Sequence, residues 1–243
     1  MLVKGPIEKA RLYIESQNKL EDNLLEKNQK IKPGPCITVS REPGARANII
    51  GELLVEFFGK FYNNNPIQWT VFDKNLIEKV LQDHQLPQRL SKLMEEKKYS
   101  AVQSIAAELL GGQPSIWSLV HKTTETILQI AQIGNVIILD RGANVITSKL
   151  WNSFHVRLVA PLEDRINHVQ TLYNFERKES IDYIKKEDLD RKDYVMNYFH
   201  RDINDPLLYH LVINTHMITD EEAAEIIGKA VMKRFPEMFS LGD

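Results

Sequence analysis

Two groups of residues in this chain could do chemistry on a phosphate. The first is the run Ser40-Arg41-Glu42-Pro43-Gly44-Ala45-Arg46-Ala47-Asn48, set between an apolar run and an amphipathic stretch. A strand that enters a tight turn and leaves it as a helix presents unpaired amides and a positive dipole end at one spot, where an anion can bind. Main-chain amides of Gly44, Ala45, Arg46, Ala47 and Asn48 would cradle donor phosphates there, beside Ser40 and Arg41. A loop of the G-x-x-x-x-G-K-[ST] type adds a Lys for the phosphates and a hydroxyl for Mg²⁺. No Lys-Ser or Lys-Thr pair occurs in this one, so a cation from the loop must be Arg41 or Arg46.

The second group is a set of arginines, chiefly Arg157, Arg165 and Arg191, with Arg177 and Arg201 nearby in sequence. Phosphoryl transfer spreads negative charge over several oxygens, and its catalysis is largely positioning plus cationic clamps. A guanidinium suits that task because its planar fork holds two oxygens at once. Lys185, Lys186 and Lys192 read differently, as a solvated helix face with i,i+4 ion pairs. Asp73 and the pair Asp140-Arg141 follow apolar runs, at the strand ends where open parallel sheets bind ligands. An Asp at such an end can equally be a helix cap.

The elements that must position these groups alternate strand and helix. Strands are expected at 36–40, 69–72, 136–139, 155–160 and 211–215, each short and rich in β-branched residues. Helices are expected at 46–59, from Pro161, over the charged segment 175–205, and after the capping box Thr219-Asp-Glu-Glu222. Ala223, Ile226, Ile227 and Val231 would face inward on the last of these. Residues 74–133 read as helix-rich, broken at Pro87 and at Gly111-Gly112-Gln113-Pro114. Residues 5–30 read as a helical arm, ended by Lys32-Pro33-Gly34-Pro35. The arm is expected to pack on its own domain, though self-association through it is an alternative. The pattern specifies an α/β fold, a three-layer α/β/α sandwich with a parallel core sheet.

Composition narrows the function. The 243 residues suffice for a sizeable core, and the net charge of −2 lacks the basic excess of a nucleic-acid or anionic-membrane binder. No apolar run reaches the length of a membrane span and no signal-peptide pattern opens the chain, so a cytoplasmic protein is expected. Cys36 is the single cysteine and lies inside an apolar run, as a small core residue would. The histidines show no metal-ligand spacing, and Trp117 and Trp151 suit core packing better than a base pocket.

Several of these pieces together resemble the cytidylate kinase-like family. They are Ile37-Thr-Val-Ser-Arg-Glu-Pro-Gly44, Val136–Leu139 with Arg141-Gly142-Ala143-Asn144, His155-Val-Arg-Leu-Val-Ala-Pro161, Asp190-Arg191 followed by Tyr198-Phe199, and Asp205-Pro-Leu-Leu-Tyr-His-Leu-Val-Ile-Asn-Thr215. The resemblance covers about residues 35–235 and implies a P-loop NTPase-like fold with a nucleoside monophosphate-binding helical insertion in 74–133 and a lid in 175–205. It implies nucleotide substrates, with ATP as donor, CMP or dCMP as acceptor, and Mg²⁺. Arg141 would orient the acceptor, Arg191 would meet the transferred phosphoryl group, and Asp140 would stand near a metal-bound water. Two departures accompany it. Ala45-Arg46-Ala47 stands where relatives usually have a small residue and two glycines, each of which gives access to positive φ. Gly142 stands where cytidylate kinases proper carry an Asp. Two readings follow: a kinase, or a catalytically degenerate nucleotide-binding regulator.

Overall fold

In a computed structural model, residues 5–26, 33–60, 68–82, 105–106, 108–109 and 118–239 are described. Most of the region 74–133, including the breaks at Pro87 and Gly111–Pro114, lies outside these, as do Trp117 and the loop Asn63–Pro66.

Short apolar runs form the sheet. β1 (Cys36–Arg41), β2 (Thr70–Phe72), β3 (Val136–Leu139), β4 (Ser153–Val159) and β5 (Leu211–Asn214) lie in the order β2-β3-β1-β4-β5, every pair parallel. The central strands β1 and β3 are buried on both faces, which is why they read as continuous apolar runs rather than as alternation. Period-2 geometry still divides their side chains between two cores. Ile37, Val39, Ile137, Leu139, Phe154, Val156 and Leu158 enter one core, while Cys36, Val136 and Ile138 enter the other.

The first core is closed by α2 (Ala47–Gly59) and by α8 (Asp220–Arg234), the helix that follows β5. Thr219 and Glu222 form the expected capping box there. The inward face of α8 is Ala223, Ala224, Ile227, Gly228 and Val231; Ile226 instead lies 45% exposed. Its expected place inside falls on the far side of the 3.6-residue period from Ala224 and Gly228.

The second core is covered by α1 (Pro6–Glu26), α3 (Lys74–Gln82), α4 (Ser118–Ile133) and the short α5 (Ala143–Ile146). The N-terminal arm belongs to this core. Ala10, Tyr13, Ile14 and Gln17 form its buried stripe, Tyr13 donates to the Gly134 carbonyl at 2.7 Å, and its ring meets Phe72 edge-on.

Two long helices complete the fold, α6 (Leu162–Tyr173) and α7 (Arg177–Phe199). Pro161 is the N-cap of α6, one residue outside the helix it was expected to begin. Helix α7 packs at two places along its length. Ile184 joins Ile166 and Val169 of α6 in a small separate core, while Val195 and Phe199 enter the second main core. Trp151 is exposed, neither core nor pocket, whereas Trp69 stacks on Phe58 at 4.0 Å between ring centres.

Candidate active site

The carboxyl ends of β1, β3 and β4 deliver their polar residues to one crevice. The loop after β1 is shaped by Gly44, at φ 87°, where a Cβ would stand 2.6 Å from the Arg165 carbonyl oxygen of α6. Only glycine lets the loop approach that helix so closely. Glu42 fixes the other side: its amide donates to the Leu158 carbonyl and its carboxylate accepts from the Ala160 amide, both at 3.0 Å. The first helical hydrogen bond of α2 runs from the Ile50 amide to the Arg46 carbonyl, and no side chain caps the helix start. The N–H groups of Ala47, Asn48 and Ile49 thus face the space in front of the loop, as a helix N-terminus requires.

A second turn follows β3. Asp140, Arg141 and Gly142 take three consecutive left-handed conformations, at φ 66°, 56° and 65°, closed by a hydrogen bond from the Ala143 amide to the Asp140 carbonyl. Such a conformation costs an L-residue roughly 1–2 kcal/mol, so this turn holds strain of the kind that collects at functional sites. It points Asp140 toward β1 and Arg141 toward α3. At Gly142 a Cβ would stand 2.7 Å from the Phe199 ring, so an Asp at this position would press on that ring.

The charged groups meet at Asp140. Its Oδ2 takes Nε of Arg191 at 3.1 Å and Nη2 of Arg41 at 3.3 Å, with the carboxylate mostly buried. Arg191 also pairs with Glu187 at 2.9 Å. Burial works against the Arg191 charge, but Asp140 and Glu187 outweigh it and raise its pKa above the ordinary value. Arg41 keeps a buried Nη1 with no hydrogen-bond partner among the described residues. A buried, unsatisfied cationic donor beside free helix amides is what an anion site would leave when it holds only protein.

Two clefts open on either side of this junction. One, enclosing about 530 Å³ of space open to solvent, lies in front of the loop between α2, α6 and α7, and is bordered by Arg41, Gly44, Ala47, Asn48 and Arg191. The other, about 620 Å³, lies between the Asp140–Gly142 turn, α3 and α7, and is bordered by Ser40, Lys74, Asp140, Arg141, Tyr194 and Arg191. Arg191 borders both. In the second cleft Arg141 pairs with Glu78 and lies 5.5 Å from the centre of the Tyr194 ring. Burial lifts the Tyr194 hydroxyl to about 12, against the lowering effect of Arg141, so it stays a neutral donor.

This geometry agrees with the sequence match. The model of the cytidylate kinase-like family matches residues 36–217, three quarters of the chain. The chain belongs to that family. Among solved structures it is similar to an uncharacterized protein from Eubacterium ventriosum ATCC 27560, at 17% identity and TM-score 0.63, covering 82% of this chain and 98% of that one. It is also similar to shikimate kinases from Acinetobacter baumannii (14% identity, TM-score 0.40, covering 83% of this chain and 95% of that one) and from Bacteroides thetaiotaomicron (11%, 0.44, 83% and 98%). No curated protein matches the sequence. The architecture of this family member is a three-layer α/β/α sandwich about a parallel five-stranded sheet.

Of the residues singled out from sequence, Ser40, Arg41, Gly44, Ala47, Asn48, Asp140, Arg141 and Arg191 border the two clefts. Asp73 instead caps α3, its carboxylate accepting from the Leu76 amide at 2.8 Å. Arg157 donates to Ser40 Oγ at 2.9 Å and to Asn204 at 2.7 Å, bracing the chain after α7 against β1. Arg165 pairs with Asp188 at 2.9 Å and lies behind Gly44, binding α6 to α7. Arg46 borders the first cleft, but its guanidinium turns to α8: Nε lies 2.7 Å from Asp220 Oδ1, and Nη2 donates to the Thr215 carbonyl. It takes positive φ, 58°, without being glycine.

The sequence reading gave no separate role to Glu42, Lys74, Glu78, Glu187 or Tyr194. Glu187 had a signal, four residues before Arg191 on one helix face. Glu78 and Tyr194 had none, because their meeting with Arg141 is made by tertiary packing.

Proposed function

We propose that this protein is an ATP-dependent nucleoside monophosphate kinase acting on CMP or dCMP. The observation that supports it best is the shared wall of the two clefts: a donor site and an acceptor site face each other across Arg41, Asp140 and Arg191. Donor phosphates would lie on the free amides at the start of α2, with Arg41 neutralising charge; within the expected run 44–48 the Ala45 amide is already engaged, donating to the Glu42 carbonyl at 3.1 Å. Arg141 and Lys74 would hold the acceptor phosphate, which is itself an anionic nucleophile and needs no strong base. Arg191 would grip the transferred group between them. Arg157 and Arg165 would act one step back, by fixing Ser40 and the α6–α7 pair, and α7 would move as the lid.

Among the described residues no three His, Cys, Asp or Glu side chains cluster to hold a metal. Asp140 is the carboxylate at the junction, so Mg²⁺ would be carried by the phosphates and reach Asp140 through water, as this cation commonly does. Bound there, the ion would neutralise charge on the transferred group.

The turn of Arg46 toward Asp220 favours a second reading, a nucleotide-binding regulator without turnover, because it removes one cation from the donor phosphates. A coupled assay for ADP formation across all ribo- and deoxyribonucleoside monophosphates separates the two when run beside calorimetry. Turnover with CMP or dCMP supports the kinase. Nucleotide binding with no turnover on any acceptor supports the regulator.

A further inference from the structure

We infer that Arg46 is a positioning residue for the donor site, a tether that replaces conformational freedom in the phosphate loop with a fixed strut to α8. The inference rests on the reading of that loop as the donor-phosphate site.

Arg46 is the N-cap residue of α2, so its backbone sets the direction of the amides that follow it. It holds the left-handed conformation that ordinarily falls to glycine, at φ 58° and ψ 21°. A non-glycine residue keeps that conformation when its surroundings over-determine it. Here the surroundings are the turn between β5 and α8. Arg46 Nη2 donates to the Thr215 carbonyl and lies 3.5 Å from the Ile218 carbonyl, and Nε stands beside the Asp220 carboxylate. The Nε pair is an ion pair by distance, with the N–H not aimed at the oxygen. Asp220 is the first residue of α8, where a carboxylate also complements the helix dipole.

One guanidinium therefore joins three groups of a segment about 170 residues away to the N-cap of the helix that follows the loop. Gly44, whose lack of a side chain lets the loop approach the Arg165 backbone of α6, fixes the other flank of the loop. Directly after the two anchors, the amides of residues 47–49 open α2 with no side chain capping them. The charge of Arg46 is spent on Asp220, which leaves Arg41 and Arg191 to meet the phosphates.

Hydrogen exchange of the ligand-free protein tests the tether without reference to activity. Arg46→Ala and Asp220→Asn should each speed exchange in peptides covering 44–51 and 215–222 and leave α4 unchanged, Arg46→Ala the more because it also loses the bonds to the Thr215 and Ile218 carbonyls, and the double variant should exchange no faster than Arg46→Ala. MgATP affinity should fall about ten- to hundredfold in each, the loss of about one hydrogen bond to a charged phosphate. The KM for CMP should stay as it is, and Arg46→Lys should recover part of the loss. Arg46→Gly removes the tether while keeping positive φ free of strain, so it reports on the tether even where Arg46→Ala folds poorly. Exchange unchanged in both segments would overturn the inference. So would tighter MgATP binding in Asp220→Asn beside weaker binding in Arg46→Ala, which would mean that Arg46 touches the phosphates itself. A wild-type protein that binds no MgATP but shows the exchange effect keeps the tether and removes the donor-site reading.

Discussion

Replacing Arg191 with alanine should lower turnover far more than it weakens either substrate. Three of the five N–H donors of a guanidinium are engaged in the protein alone, by Asp140 Oδ2, by the Glu187 carboxylate and by the Glu187 carbonyl. Two remain, on a side chain that borders both clefts, and they can bind oxygens of a group passing from one cleft to the other. Charge-assisted hydrogen bonds contribute about 1.5–3 kcal/mol each, and deleting one donor to a developing charge costs about 2.7–4 kcal/mol. A fall in kcat of roughly a hundred- to a thousandfold follows. Because the contact strengthens as charge builds on the moving group, the KM values for ATP and CMP should change little. Arg191→Lys should recover only a small part, since an ammonium cannot reach Asp140 and Glu187 and still offer a fork. Steady-state kinetics with thermal melts alongside separates this from unfolding, which would lower active concentration without altering KM and would show in the melt. Wild-type turnover that persists in Arg191→Ala would show that the transferred group does not pass this residue, and the placement of the active site would fall with it.

Arg141→Ala should mainly raise the KM for the acceptor, because Arg141 would hold a phosphate already present in the ground state; an unchanged acceptor KM would exclude it from that role. His155, buried beside Thr38 and with its pKa pushed down to about 4 by burial and by His210, binds fewer protons folded than unfolded. Its stabilising contribution is complete above pH 6.5 and is lost as pH falls toward 4, so urea denaturation should show roughly 2–3 kcal/mol less stability at pH 4.5 than at 7.5 relative to His155→Gln; parallel pH profiles would refute this. Gly142→Ala should cost about 2–4 kcal/mol, from a left-handed conformation and from a Cβ against Phe199; an unchanged denaturation midpoint would mean that α7 shifts freely.

The sheet was legible because its strands are short β-branched runs between helix signals, a pattern that local physics nearly dictates. The Thr219–Glu222 capping box was legible for the same reason: its donors and acceptors lie within four residues of each other. The arginines stand out in the sequence as a class, since chemistry on phosphate needs cations, and the structure gathers Arg41 and Arg191 on Asp140. Their separate roles were not, because Arg157 and Arg191 differ only in what packs around them. Arg157 finds Ser40 because the β1–β4 register sets the two side by side, and Arg191 finds Asp140 because a 23-residue helix returns its middle to the end of β3. Register and helix docking are long-range facts. Asp73 shows the same limit from the other direction: a strand-end Asp reads alike whether it faces a ligand or caps the next helix, and here it caps.

The loop carries the clearest lesson about substitution at a functional site. A missing glycine suggests a lost conformation, and a missing lysine suggests a lost charge. The structure separates the two. Arg46 keeps the left-handed conformation without glycine, through its bonds to the β5–α8 turn, so the backbone that presents the amides survives the change. The charge is what moves: it leaves the loop and is neutralised at Asp220, while Arg41, with an unsatisfied buried Nη1, stands nearest the vacated role. Backbone geometry and local charge are set by different residues here. Phosphate affinity and phosphoryl-transfer rate should accordingly respond to different substitutions: the first to Arg46 and Asp220, the second to Arg191.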